Sequence, residues 1–245
     1  MGAQIKVLSD NAALCREAAQ EFQRLAETAV AEHGQFSVAL SGGNTPRNIY
    51  ALLATEQNLP WEKIHVFFGD ERHVPPQDFD SNFRMAKESF LSKVPIPEKN
   101  VHRVRAELDA TAAAEDYARQ LKEHFRPASG KWPRFDLIFL GLGDDGHCAS
   151  LFPGTDALHE STRLAVSNWV QKLQTFRITL TFPVLNHAAE IIFLVSGEKK
   201  AGILNDIFKP GPQKYPAQSV QPEDGHLIWM ADQDAAKLLQ SARTA

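Results

Sequence analysis

Two cysteines in 245 residues, Cys15 and Cys148, are too few and too far apart for a disulfide framework, a CxxC redox pair or a cysteine zinc site. That scarcity fits a reducing compartment, and the expected location is cytoplasmic. No apolar run approaches the roughly 20 residues that span a bilayer. The N-terminal MGAQIKVLSD lacks the basic flank and apolar core of a signal peptide, and Lys6 stands where myristoylation wants Ser or Thr. No membrane role is expected. Positive charge is not in excess either: 26 Lys and Arg face 30 Asp and Glu, a formal net charge of -4, so no global field draws in nucleic acid. Affinity for an anionic ligand has to be local.

Several motifs are absent too. There is no GxxxxGK[ST] loop for a nucleoside triphosphate, no GxSxG elbow for a serine nucleophile, and no HExxH or similar spacing among the nine histidines. No metal site is expected.

What is present is an ordinary globular composition, 43% hydrophobic and 23% charged, with no internal repeat and no long low-complexity linker. A single domain over residues 1–245 is expected, as a monomer or small homo-oligomer. Short apolar runs predict strands at Ser37–Leu40, Ile64–Phe68, Phe135–Leu140, Glu190–Ser196 and His226–Met230, with a further one near Leu164–Val166. Between them, helical period predicts helices over Asn11–Glu32, Pro46–Thr55, Ser81–Leu91, Asp109–Phe125, Glu198–Phe208 and Asp232–Ala242. This alternation is that of an α/β fold with a mainly parallel sheet covered by helices. In such folds chemistry collects just past the carboxyl ends of the strands.

The first such loop, Ser41-Gly42-Gly43-Asn44-Thr45-Pro46, reads as a tight turn into a helix, with Thr45 as N-cap and Pro46 in the first helical position. Two readings stand. The glycines make only the turn, or the turn also aims backbone N–H groups, with the Ser41 and Thr45 hydroxyls, at a phosphate or carboxylate. The second loop carries Asp70-Glu71-Arg72-His73, either a solvated turn or an arginine fork for an anion with Asp70 as a base or a positioning group. Asp80 or Ser81 can cap the helix that follows, and Asn82 can reach the same cleft.

The third loop, GLGDDGHCASLFPGT, spaces Gly141, Gly143 and Gly146 like a dinucleotide fingerprint. The helix that should follow is too short, the ribose-binding acid is missing, and Asp144 and Asp145 put negative charge where a pyrophosphate would lie. The alternative is a sharp turn that presents Asp145 and His147, a carboxylate and an imidazole suited to activating water. Cys148 competes as a nucleophile without any supporting signature. Arg177 and the Lys199-Lys200 pair are cations that can complete an anion site. Lysines at a helix start run against its dipole, which favours a functional reading.

Taken together, LSGGNTP, WEKIHVFFGDERHVPPQDFDSNFRMAKESFL, FDLIFLGLGDDGHCASLFPGT, RITLTFP and SGEKKA resemble, in order and along nearly the whole chain, the 6-phosphogluconolactonase family. The resemblance implies cofactor-free hydrolysis of 6-phospho-D-glucono-1,5-lactone, a sugar phosphate lactone. It also implies a Rossmann-like three-layer α/β sandwich shared with glucosamine-6-phosphate deaminases. By motif, His147 is implied as general base with Asp145 beside it, and Arg72 as a contact to substrate. Ser41, Gly42, Gly43, Thr45, Arg177 and Lys200 are implied as the phosphate-binding set; Lys200 ranks above Lys199 because it directly precedes Ala201. Two rivals remain: a deaminase-type isomerase, against which ASLFPG stands in place of an FNEPG-like run, and a sugar-phosphate-binding module without catalysis.

Overall fold

The computed structural model describes residues 3–56 and 58–239. Its core strands are apolar on both faces, and that is why they pair in parallel and lie under helices on each side. The strands are β1 (Gln4–Leu8), β2 (Phe36–Leu40), β3 (Ile64–Phe68), β4 (Asp70–Arg72), β5 (Leu137–Gly141), β6 (Ala165–Val170), β7 (Thr175–Leu180), β8 (Glu190–Val195) and β9 (His226–Asp232). The helices are α1 (Asn11–His33), α2 (Asn44–Leu53), α3 (Asn82–Ala86), α4 (Ala110–Phe125), α5 (Phe182–Asn186), α6 (Ala201–Phe208) and α7 (Gln233–Ala236).

Six strands form one wholly parallel sheet in the order β1-β9-β8-β5-β2-β3. Alternation along β2 divides the core between the two faces. Phe36, Val38 and Leu40 pack with α1 residues such as Leu14, Ala18 and Phe22 and with Tyr50 of α2. Ala39 faces the other way, toward Tyr117 and Leu121 of α4 and Leu204 of α6. The result is the α/β three-layer arrangement that the alternating pattern predicts.

Strand order runs outward from the β2–β5 neighbours in two directions, so the loops after these strands diverge and leave a crevice at their carboxyl ends. A second, antiparallel sheet, β4-β7-β6, stands beside that crevice. It was not expected: the DER triplet predicts a loop, but it forms β4 and pairs Asp70 with Thr179, Glu71 with Ile178 and Arg72 with Arg177.

The helix ends differ from expectation in small, explicable ways. Gly43, at φ 110°, turns the chain one step early and is itself the N-cap of α2, so Thr45 and Pro46 lie inside the helix. Ser81, rather than Asp80, caps α3 by accepting from Arg84 N at 3.1 Å, and the helix continues as a π-helical turn over Lys87–Leu91. The run after β8 begins as a 3₁₀ turn at Glu198–Lys200 before α6. Of the helix expected over Asp232–Ala242, Asp232 is the last residue of β9 and caps α7 through Ala235 N at 2.8 Å; the part beyond 239 lies outside the described residues.

Candidate active site

The ends of β2 and β3 are fixed before any functional side chain is placed. Tyr50 Oη donates to the Ser41 carbonyl at 2.9 Å and accepts from Ser41 N at 3.1 Å. Tyr117 Oη likewise donates to the Phe68 carbonyl at 2.7 Å and accepts from Phe68 N at 2.8 Å. Both tyrosines are fully buried, so each phenol satisfies backbone groups that no strand neighbour reaches.

Beyond these ends lies a cavity of about 270 Å³ whose walls include Ser41, Gly42, Gly43, Asp70, Arg72, Asn82, His147 and Lys200. Residues from four strand ends, 41 to 200 in number, thus converge on one crevice. Ser41 is 5% exposed, and its buried hydroxyl has no hydrogen-bond partner among the described residues. Gly42 has to be glycine here, because a Cβ would stand 2.0 Å from Asn82 Oδ1.

The His147 loop folds back on itself through Gly146 N to the Gly143 carbonyl at 3.0 Å and Gly143 N to the His147 carbonyl at 2.9 Å. Gly146 takes φ 75°, a left-handed value. A Cβ on Gly143 would fall 2.0 Å from His147 Nδ1. Of the glycines of the apparent fingerprint, Gly143 therefore makes room for an imidazole, while Gly146 makes the turn close against Tyr215. His147 Nδ1 lies 2.5 Å from Asp145 Oδ1, and its ring stacks on Phe152 at 3.9 Å. Asp145 stands behind the histidine, where its second oxygen accepts from Lys172. Burial would raise the Asp145 pKa, but the Lys172 and His147 hydrogen bonds outweigh it and hold the carboxyl at about 2.

The DER strand divides its labour. Glu71, 2% exposed, accepts from Arg72 N at 2.8 Å, Asn82 N at 2.7 Å, Phe83 N at 2.8 Å and Ser81 Oγ at 3.2 Å. Burial pushes its pKa up while the Phe83, Asn82 and Arg72 N–H groups pull it back. Asp70 reaches the cavity, and Ser150 Oγ donates to it at 2.6 Å. Arg72 donates to the Asp80 carbonyl. Arg177 is not on the cavity wall but stands directly opposite Arg72 across the antiparallel pair. Burial, and then the Arg72 charge, depress its pKa. Neither arginine is in an ion pair among the described residues. Asp70, Asp80 and Glu71 act on Arg177 only as nearby charges, and burial with the Arg72 charge outweighs them, so the two facing guanidiniums keep a local positive field of the kind an anion relieves.

Of the remaining expected residues, Lys200 pairs with Asp144 at 2.5 Å and lowers the pKa of that carboxyl. Thr45 is not on the wall; its hydroxyl accepts from Asn11 Nδ2 at 3.2 Å. Cys148 is buried and burial pushes its thiol far up, which argues against a thiolate nucleophile. Lys172, Ser150 and the clamps Tyr50 and Tyr117 gave no signal in the sequence. Histidine spacing showed no metal cluster, yet among the described residues His65, His102 and His124 come together, away from the crevice. They arrive from three separate segments, which is why no spacing revealed them.

The glucosamine-6-phosphate isomerase/6-phosphogluconolactonase family model matches residues 9–229. A 6-phosphogluconolactonase of Synechocystis sp. is 46% identical over 98% of this chain and 100% of its own length. The solved 6-phosphogluconolactonase of Trypanosoma cruzi superposes with a TM-score of 0.86 at 27% identity, over 100% of this chain and 98% of the other. A monomeric glucosamine-6-phosphate deaminase superposes at 0.79 over 96% of this chain and 99% of its own, with 19% identity, and shares the fold.

Proposed function

The chain belongs to the 6-phosphogluconolactonase family within the glucosamine-6-phosphate isomerase/6-phosphogluconolactonase superfamily, and from that premise we propose that it hydrolyses 6-phospho-D-glucono-1,5-lactone to 6-phospho-D-gluconate in the oxidative pentose phosphate pathway. The observation that carries the mechanism is the imidazole on the crevice wall with Nδ1 held 2.5 Å from Asp145. With Nδ1–H donating to the carboxylate, the Nε2 lone pair is the base that faces substrate.

Arg72, Arg177, Lys200 and the free Ser41 hydroxyl hold the 6-phosphate, with the N–H groups of Gly42 and Gly43 beside them. Thr45 supports this loop through Asn11 rather than touching the ligand. Water attacks C1 as Nε2 of His147 takes its proton, giving a tetrahedral oxyanion stabilised by backbone N–H groups. The oxyanion collapses, the C1–O5 bond breaks, and the imidazolium returns its proton to O5, leaving the open-chain acid. Asp145 keeps the ring in the productive tautomer and steadies the imidazolium. Asp70 and Asn82, bonded to each other, shape the wall between phosphate and reaction centre. A lactone is already an activated ester, so neither a covalent intermediate nor a cofactor is needed. A reducing, cytoplasmic setting is part of this proposal, and the two buried free cysteines support it.

The test is a coupled assay on freshly generated lactone, corrected for spontaneous hydrolysis, beside ammonia release from glucosamine 6-phosphate. Turnover of the lactone alone is expected, and ammonia release alone would overturn the proposal. His147→Ala should lower kcat by about 10²–10⁴-fold with a small change in KM.

A further inference from the structure

The edge strand β3 carries a histidine where its neighbours are apolar. Ile64, Val66 and Phe68 face α1 and α2, while Phe67 packs on the α4 side, and alternation puts His65 on that side too. Val101 bridges Val66 in parallel and His102 N donates to the Val66 carbonyl at 2.8 Å, which lays the next ring beside β3. The last turn of α4 supplies His124.

One ring nitrogen of each histidine lies within 4.8 Å of the other two, and His65 Nδ1 is 3.3 Å from His102 Nε2. The rings are held from outside: Phe67 stacks on His102 with centroids 4.2 Å apart, and the edge of Phe125 meets His124 at 4.8 Å. Two imidazoles share one hydrogen bond, and the third is left over. His124 Nε2 is buried without a hydrogen-bond partner among the described residues. Burial, with the neighbouring rings, lowers the pKa of His102 and His124, and burial with nearby Lys99 lowers that of His65.

We propose that His65, His102 and His124 form a binding site for a divalent transition metal of the zinc type, separate from the crevice. Zinc–imidazole bonds of about 2.0–2.1 Å in a tetrahedron set the nitrogens roughly 3.3 Å apart. The His65–His102 pair already meets that spacing, and a modest turn of the His124 ring completes it, with solvent as the fourth ligand. Three imidazoles with no carboxylate or thiolate among them select zinc, nickel or copper over calcium or magnesium. Lys99 is the charge that opposes the ion. His65 sits near the amino end of β3, whereas the crevice opens past Phe68 at its carboxyl end. A bound ion therefore clips the edge strand and the Val101–His102 segment beside it to α4, away from the crevice.

The metal-stripped full chain is titrated with Zn²⁺ and followed by thermal unfolding, and with Co²⁺ followed by visible absorption. One ion per chain, a raised melting temperature and the intense bands of tetrahedral Co²⁺ are expected. His124→Gln and His65→Gln, with folding checked by far-UV circular dichroism, should weaken binding at least as much as the roughly 10- to 100-fold that loss of a supporting partner costs a metal site. His147→Ala should leave it unchanged. Absence of saturable binding overturns the site, as does binding that survives both glutamine variants but is lost in His147→Ala. Where a glutamine variant fails to fold, the wild-type Co²⁺ spectrum decides: octahedral aqua-like bands overturn the proposal.

Discussion

An alanine at 143 would bring a methyl group to 2.0 Å from Nδ1 of His147, with the loop around it closed by its own hydrogen bonds. The imidazole has to swing away from Asp145. A displacement of about 1 Å in a catalytic group costs on the order of 10²-fold in rate. Gly143→Ala is therefore expected to lose about that factor in kcat while its far-UV spectrum stays native; unchanged turnover would show that the His147 position is not needed. Asp145 adds a pH test. Its folded pKa is about 2 against an ordinary 3.8, so the stabilising His147–Asp145–Lys172 chain is fully present above about pH 3.8 and is lost as pH falls through about 2. Lys172 supplies part of that depression through its hydrogen bond. Lys172→Met should move the loss of that stabilisation to higher pH, read from urea-unfolding midpoints of the two proteins between about pH 2 and 3.8.

Element by element, Glu71 does the most to organise the wall, because one buried carboxylate gathers the first N–H groups of α3 and joins them to β4. Glu71→Ala leaves several buried donors unpaired. A loss of about 1–3 kcal/mol is expected, measured by urea unfolding, together with a drop in activity as Arg72 and Asn82 shift. None of this was legible in Asp70-Glu71-Arg72-His73, which reads as a solvated turn or an anion-contacting loop; only the pairing with β7 reveals a strand with Glu71 inside. The five core strands were legible because a parallel strand covered on both faces must be apolar throughout. Edge strand β1, QIKVL, has exposed residues at both Gln4 and Val7 and so carries no such run. The crevice loops were legible for a similar reason: glycines, a capping residue and clustered charge sit within a few positions of one another. Their supports were not. Lys172 meets Asp145 27 residues away and Ser150 meets Asp70 80 residues away, and no local spacing encodes such partners.

For the molecule as a whole, a net charge of -4 opposes a phosphorylated ligand, and the proposed phosphate site sets the facing Arg72 and Arg177 and the crevice-wall Lys200 against that repulsion. At about 0.1 M salt the Debye length is roughly 10 Å, so the global repulsion is largely screened and the local contacts are not. Lys200 is held by Asp144 at 2.5 Å before any substrate arrives, and Asp144 is 78% exposed. A phosphate binding there has to displace or share that carboxylate. Exposed ion pairs contribute about 0.2–1 kcal/mol, so Asp144→Asn should lower KM for the lactone by up to about fivefold and leave kcat unchanged. Lys200→Ala should raise KM, and in the double variant Asp144→Asn should give no further gain, because its benefit acts through the lysine. Initial-rate measurements on the four proteins at fixed ionic strength decide it: a KM decrease from Asp144→Asn that persists without Lys200 would mean that Asp144 repels the phosphate directly rather than competing for its partner.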